Sequence, residues 1–277
     1  MKIKYLGTAA AEGWPALFCD CDACRKARKL GGKNIRTRSQ ALIDDCLLID
    51  YPPDAYAHML KENLSFGKIA TLLVTHSHQD HFYPLDLILR TKPYCYRLQT
   101  PLLTIYGNKT VAEEYQYAQR QEDPVELAKY VHFQVIEPFQ RFETAEGYKV
   151  TPLLANHGSK EEDCLLYLIE KEGQTLFYAN DSGIYPEETW HYLEGHHIDL
   201  VSFDCTGVIY SAGSGHMTIA DNRLVKQRLL DIGCVDSSTQ FIVNHFSHNG
   251  ILMYDEIVEA TKEDGFLVSY DGFEFIF

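Results

Sequence analysis

Apolar and polar positions along this chain follow several short rhythms that predict alternating strands and helices. Residues 2–7 (KIKYLG) alternate as a half-buried strand does. Residues 40–50 (QALIDDCLLID) read as a hairpin turning at Asp44-Asp45. Between them lie a loop rich in small residues and cysteine, a brief helical stretch at 24–30 and a polar loop at 31–39. Residues 68–75 (KIATLLVT) form a strongly apolar strand, and a helix is expected from Pro84, since proline suits a first helical turn. Residues 101–106 look extended and 109–121 helical. Strands are expected at 131–136 and 148–155, and a hairpin at 164–181 turning at Glu172-Gly173. A buried strand at 198–204 precedes an amphipathic helix at 218–232, stopped by Gly233. A strand at 241–245, a helix at 254–264 and a hairpin at 266–277 around Asp271-Gly272 complete the pattern. Two sets of strands, each trailed by helices, permit a layered sandwich with sheets inside and helices outside. Periodicity alone does not identify it.

The length of 277 residues suits one large α/β domain or two small ones, and 45% hydrophobic residues can bury a sizeable core. A net charge of -14 repels a phosphate backbone and argues against long nucleic acid as partner. A metal centre would supply local positive charge that this count ignores. No apolar run reaches the roughly 18 residues needed to span a bilayer, and MKIKYLGTAAAEGWP lacks the apolar stretch of a secretory signal. A cytoplasmic protein without a membrane partner is expected. In that setting the eight cysteines fit metal binding or free core thiols better than disulfides.

The chemistry concentrates in His76-Ser77-His78-Gln79-Asp80-His81, at the end of a buried strand. His76 and His78 can aim at one ion, Asp80 and His81 at a second beside it. Imidazole and carboxylate suit zinc, manganese or iron. The alternative is a polar loop that happens to be rich in histidine. Further ligand types stand at the ends of expected strands: His157 after Ala155, Asp181 after LFYAN and His245 after FIVN.

HSHQDH followed by His157, Asp181 in NDSG and His245 resembles the metallo-β-lactamase superfamily, in order and approximate spacing, over nearly the whole chain. The resemblance implies one α/β domain over residues 1–277, a four-layer αββα sandwich. It also implies two divalent ions, Mn2+ or Zn2+. One would be held by His76, His78 and His157, the other by Asp80, His81 and His245, with Asp181 bridging. A bridging carboxylate favours the phosphodiesterase-like and glyoxalase-like branches over antibiotic hydrolysis.

A second cluster, Cys19-Asp20-Cys21-Asp22-Ala23-Cys24, can wrap one ion with three thiolates. His248, three residues past His245, is a fitting fourth ligand for a structural Zn2+. Free thiols or a local disulfide are the alternatives. The stretch GTAAAEGWPALFCDCDACRKAR resembles the N-terminus of the phosphoribosyl cyclic phosphate phosphodiesterase branch of phosphonate breakdown. There a cysteine loop and a histidine placed like His248 bind zinc. The resemblance extends to Gly215-His216-Met217-Thr218 and implies that His216 is a catalytic acid, where the residue alone reads as an exposed loop histidine. Where that branch often has another histidine, this chain has Gly207, which puts the substrate pocket in question.

Two ions sharing a water would bring its pKa towards about 7, and the resulting hydroxide would attack phosphorus in line. His216 would then protonate the leaving sugar oxygen. Asp80 is a second candidate acid, though a ligand role would hold it ionised. The implied substrate is a small phosphorylated one, 5-phosphoribosyl 1,2-cyclic phosphate, opening to ribose 1,5-bisphosphate. The metal ligands alone would equally serve an ester, thioester or lactone. The alternatives are a ribonuclease Z-type nuclease, which the acidic balance disfavours, a glyoxalase-type thioester or lactone hydrolase, which the cysteine loop disfavours, and a cofactor-biosynthesis or metal-binding protein with an idle site, against which the complete ligand set argues. The branch implies a homodimer, but no interface stripe is legible. Residues 90–150 carry no motif. Gly7-Thr8 reads either as a backbone approach to a substrate phosphate or as a plain turn. His58, His132, His191, His196 and His197 read as structural or solvated.

Overall fold

The computed structural model describes residues 1–120, 124–159 and 161–277. The strands are β1 (Lys2–Gly7), β2 (Gln40–Ile43), β3 (Leu47–Ile49), β4 (Thr71–Leu73), β5 (Leu103–Gly107) and β6 (Val131–Val135), then β7 (Phe142–Glu143), β8 (Lys149–Leu154), β9 (Leu165–Lys171), β10 (Gln174–Ala179), β11 (Leu200–Asp204), β12 (Gln240–Asn244), β13 (Phe266–Val268) and β14 (Phe273–Ile276). They form two seven-stranded sheets, ordered β14-β1-β2-β3-β4-β5-β6 and β13-β12-β11-β10-β9-β8-β7. Each sheet is half antiparallel and half parallel. The change comes at β3 in the first, where β3 pairs parallel with β4, and at β10 in the second, where β10 pairs parallel with β11. The helices are α1 (Asp22–Leu30), α2 (Ala55–Lys61), α3 (Lys109–Gln119), α4 (Pro124–Leu127), α5 (Glu187–Leu193), α6 (Ile219–Asp231) and α7 (Tyr254–Thr261).

The period of two along each strand divides the core into three slabs. On β9, Leu165, Tyr167 and Ile169 face the other sheet, while Leu166 and Leu168 face outward onto helices. On β2, Ala41 and Ile43 point between the sheets and Leu42 points out. Trp190 of α5, Val225 and Leu229 of α6 and Ile257 of α7 cover the second sheet, and Val111 and Tyr115 of α3 cover the first. Strands apolar on both faces belong between helices and a partner sheet. The result is an αββα sandwich, as expected.

Local chemistry sets the boundaries. Thr218 and Asp221 cap α6 reciprocally, and Gly233 follows its end at φ 72°. Glu172 and Gly173 take φ 52° and 82°, the pair of positive values that a two-residue hairpin turn requires. The Asp44-Asp45 turn also forms, at φ 44° and 58°, and Asp44 Oδ1 accepts from the Lys2 N–H at 2.7 Å.

Several expectations need correction. The hairpin at 266–277 does not exist: β13 pairs with β12 in one sheet and β14 with β1 in the other. Asp271 is buried and accepts from Thr8 and Thr37, tying down a crossover between the sheets. The strand expected at 68–75 is only Thr71–Leu73 long, and Pro84 opens a 3-10 helix, Pro84–Arg90, instead of an α-helix. The expected helix 109–121 ends at Gln119, and its residue 121 lies outside the described residues. Helices α2 and α5 carry no signal read from the sequence. Among the described residues, no helix is long and apolar enough to cross a membrane.

Leu168 is wholly buried between β9 and the helices. We expect Leu168→Ala to lower folding stability by ~2–5 kcal/mol, read from the urea midpoint. A loss below about 1 kcal/mol would mean that this slab repacks freely.

Candidate metal centre

The loops that leave the carboxyl ends of co-directional strands meet at one edge of the sandwich, where α/β folds place their sites. Asp50 follows β3, residues 76–81 follow β4, His157 follows β8, Asp181 follows β10, Thr206 follows β11 and His245 follows β12. Asp50, Asp181 and His245 all take left-handed backbone, at φ 65°, 54° and 63°. For non-glycine residues this conformation costs about 1–3 kcal/mol and clusters at functional sites. Here it turns three side chains out of the strand direction and into the gap between the sheets.

The structure brings all seven expected active-site ligands together. His76, His78, His157 and Asp181 form one group, and Asp80, His81, Asp181 and His245 form the other; within each group the donor atoms lie within 4.8 Å of one another. Asp181 belongs to both. Its Oδ2 is 3.3 Å from His76 Nε2, 3.1 Å from His81 Nε2 and 3.7 Å from His245 Nε2, and its Oδ1 is 3.3 Å from His157 Nδ1. His216 Nδ1 approaches Asp181 Oδ1 at 3.0 Å and Asp204 Oδ2 at 3.7 Å.

The donor set fits divalent cations. Ring nitrogens crowd one another at 2.9 Å (His76 Nε2 to His78 Nδ1) and 3.3 Å (His81 Nε2 to His245 Nε2). Asp181 Oδ1 is buried and makes no hydrogen bond of good geometry, although two imidazoles stand within reach. Burial disfavours a charged His81, but Asp80 and Asp50 outweigh it and hold its pKa well above the ordinary value. Burial and the neighbouring His81 push His76 well below it. Burial would raise Asp80 and Asp181, yet His81 on the first and His245 on the second lead the contacts that hold both carboxylates ionised. A carboxylate held ionised in this way suits Asp80 to binding a cation better than to donating a proton.

A further shell, missed in the sequence, orients these rings. Asp50 Oδ2 takes the Nδ1 side of His81 at 2.7 Å, and Thr75 Oγ1 contacts His76 Nδ1 at 3.0 Å. Thr206 Oγ1 and Asp204 Oδ2 face His245 Nδ1 at 2.8 and 3.2 Å. The carbonyl of Gly215 faces His157 Nδ1 at 3.2 Å. Glu162 accepts from the Ser77 N–H at 2.8 Å, the Ser77 hydroxyl at 2.6 Å and Asn108 at 2.9 Å, which ties the histidine loop to the loop bearing His157. The only available signal for Asp50 and Asp204 was a carboxylate closing an apolar run (LLID, VSFD).

Cys19, Cys21, Cys24 and His248 form a second cluster, again with donor atoms within 4.8 Å. Cys21 Sγ lies 3.4 Å from His248 Nδ1, and all eight cysteines are free. The backbone N–H of Cys24 is the largest of the effects that bring the Cys21 thiol down to about 6, whereas burial pushes Cys24 up to about 11. One thiolate beside two further sulfurs and an imidazole suits a structural Zn2+. Ser247 donates to Glu12 at 2.5 Å and so joins this cluster to the metal-centre rim.

A cavity of about 420 Å3 opens over the centre, lined by His216 with Ala10, Glu12, Tyr210 and Ser211 among others. Two sequence questions are answered by the backbone around it. The N–H groups of Thr8, Ala9 and Ala10 bond the carbonyls of Thr37 and Phe246 and so are not left for a phosphate, and the stretch is not a tight turn either: Gly7 ends β1 and Ala9 forms bridges to Arg38 and Phe246. A Cβ on Gly207 would lie 2.1 Å from the Tyr210 carbonyl, so no side chain fits there.

Residues 46–246 match the model of a family described as the beta-lactamase superfamily domain. Over 204 residues the chain is 29% identical to coenzyme PQQ synthesis protein B of Methylobacterium radiotolerans, covering 64% of this chain and 64% of that protein, a little under two thirds of its length. The structure resembles that of a diphosphatase from the PhnP family, with a TM-score of 0.76 at 21% identity, over 100% of this chain and 97% of the other. It also resembles Zn2+-bound PqqB from Methylobacterium extorquens, with a TM-score of 0.77 at 20% identity, over 100% of both chains. At these identities the two structures speak for the fold.

We expect Asp50→Asn to weaken metal binding by roughly 10–100-fold, the usual cost of losing a partner behind a ligand, as measured by chelator competition. Equal affinity in the variant would remove Asp50 from the orienting shell.

Proposed function

We propose that this chain, which belongs to the beta-lactamase superfamily, is a metal-dependent hydrolase, and specifically a phosphodiesterase acting on a small cyclic phosphodiester. The observation that carries this reading is His216, which lines the cavity over the centre with its Nδ1 held 3.0 Å from Asp181. Release of a sugar alkoxide calls for a proton donor, which the thiolate leaving a thioester does not need.

Two divalent ions, held by His76, His78 and His157, by Asp80, His81 and His245, and by Asp181 between them, would supply Lewis acidity and a water whose pKa falls towards about 7. Asp50, Thr206 and the Gly215 carbonyl keep three of the ligand rings turned to the centre. Burial alone would lower the His216 pKa, but its contacts with Asp181 and Asp204 push it up to about 10. The two carboxylates therefore favour the protonated form of His216, against which any bound cations would act. Nδ1 faces the two carboxylates at 3.0 and 3.7 Å, and Nε2 is the atom left to protonate the departing sugar oxygen. Cys19, Cys21, Cys24 and His248 are assigned a structural Zn2+ that fixes the neighbouring loop.

The substrate implied by the sequence resemblance is 5-phosphoribosyl 1,2-cyclic phosphate, opened at the 2-oxygen to ribose 1,5-bisphosphate. The cavity size and the net charge of -14 both favour a small molecule over RNA. Among the described residues, no lysine or arginine lines the cavity, and Glu12 does. The reacting phosphodiester would thus have the ions for partners, and a remote 5-phosphate would meet no side-chain cation there.

The test is a hydrolysis panel with metal-loaded protein: the ribose cyclic phosphate with and without its 5-phosphate, a 2′,3′-cyclic nucleotide, bis(p-nitrophenyl) phosphate, a short RNA and a thioester. The expected preference is for the small cyclic phosphodiesters, and selective cleavage of RNA or thioester overturns the reading. His216→Ala should cut kcat by about 10²–10⁴-fold at unchanged metal content. The acid form of His216 is lost as pH rises, so the alkaline fall in kcat should vanish with it. Unchanged turnover sinks the role given to His216. Removing the 5-phosphate should alter kcat/KM by less than about tenfold, since no charged pair worth about 1.5–3 kcal/mol awaits it.

A further inference from the structure

A second cavity, of about 390 Å3, shares no residue with the metal-centre cavity. It lies on the helix-covered side of the first sheet, between α2, the 3-10 turn at 84–90 and the segment that follows. Its walls include Leu48, Met59, Phe66, Leu72, Leu87 and Leu103. A concave, largely apolar pocket of a few hundred Å3 with a few convergent polar groups is the usual form of a small-molecule site.

The polar group here is specific. Arg90 lines the cavity, and its Nη2 donates to the Thr100 carbonyl at 2.9 Å. Its Nε is buried and has no hydrogen-bond partner among the described residues, and the side chain forms no ion pair among them. The enclosed Nε is not what the cavity meets, but Arg90 lines the cavity without an ion-pair partner among the described residues, and an anionic acceptor is the best partner for a guanidinium. Asp86, from the same turn, also lines the cavity and is likewise unpaired among the described residues; its charge would repel such an acceptor. Arg97 is the second cation in the lining, so positive charge prevails.

We propose that this cavity binds a small amphipathic anion, an aromatic or aliphatic body carrying one carboxylate or sulfonate, with the anionic end on Arg90 and the body against the leucines. The proposal does not rest on the phosphodiesterase reading, because no group of the metal centre takes part.

The test uses the full metal-replete chain and two fluorescent probes of similar shape. One is 1-anilinonaphthalene-8-sulfonate, which carries a sulfonate, and the other is neutral N-phenyl-1-naphthylamine. The anionic probe should bind saturably at one site. Arg90→Met keeps an apolar stem and should weaken that probe about tenfold or more, the worth of one charge-assisted hydrogen bond, while moving the neutral probe by less than about threefold. Asp86→Asn removes the opposing charge and should tighten the anionic probe, a gain that a misfolded variant would not produce. Met59→Trp, which fills the cavity, should abolish both signals at an unchanged far-UV circular dichroism spectrum. Three results overturn the proposal: equal responses of the two probes to Arg90→Met, a signal that survives Met59→Trp, or displacement of the anionic probe by metal chelation.

Discussion

The carboxylate of Asp181 is the constraint around which the two sheets are arranged. It is buried, and imidazole nitrogens from His76, His81, His157, His216 and His245 stand within 3.0–3.7 Å of it. Leaving such a charge uncompensated costs several kcal/mol, so the fold must deliver positive partners from many directions. It does so by ending β4, β8, β10, β11 and β12 at one edge, and by letting Asp181 and His245 leave their strands in left-handed backbone. Protonated histidines or divalent ions can provide the compensation. Only ions leave every ring nitrogen that faces the gap free to act as a donor, which is why the seven residues read as a metal centre and not as a salt-bridge network.

The same constraint explains why the histidine loop is so firmly fastened. β4 ends at Leu73, leaving residues 74–83 to hold their place without regular pairing. Their backbone is tied by the Tyr51 N–H to the His81 carbonyl at 2.7 Å and by the Tyr83 N–H to the Tyr51 carbonyl at 2.7 Å. The Ser77 clamp on Glu162 adds a link to the opposite sheet's loop. A loop that carries four ligand-type side chains in six residues must not drift by an ångström, since an error of that size costs large factors in rate.

The centre was legible in the sequence because its first four groups are contiguous and the others each close a strand. Asp50, Thr206 and Glu162 were not, because each acts through a hydrogen bond to a ligand or its loop, and that leaves no spacing pattern. The final hairpin failed for a related reason. Asp271-Gly272 is good turn chemistry, but turn chemistry does not say whether the flanking strands share a sheet. Here the Asp271 carboxylate bonds Thr8 and Thr37 instead of its own turn, and the chain changes sheets. Helices α2 and α5 went unread because seven residues are too few for a clear helical period.

The cysteine cluster and the metal centre are not independent parts. His245 and His248 sit on either side of Ser247, whose hydroxyl donates to Glu12, and Glu12 belongs to the rim of the cavity. Phe246 in turn holds the Ala10 N–H, while its own N–H bonds the Thr8 carbonyl. Pulling Cys19, Cys21, Cys24 and His248 together therefore sets where Ala10 and Glu12 stand over the centre. An ion in the cysteine cluster does no chemistry there, yet it would decide the shape of one wall of the substrate cavity. That gives a physical reason for three thiols, Cys21 exposed, Cys19 half-buried and Cys24 buried in α1, to sit beside the metal centre: a short apolar anchor would be hard to bury at the edge of a sandwich, and a four-donor ion site fixes the same segment.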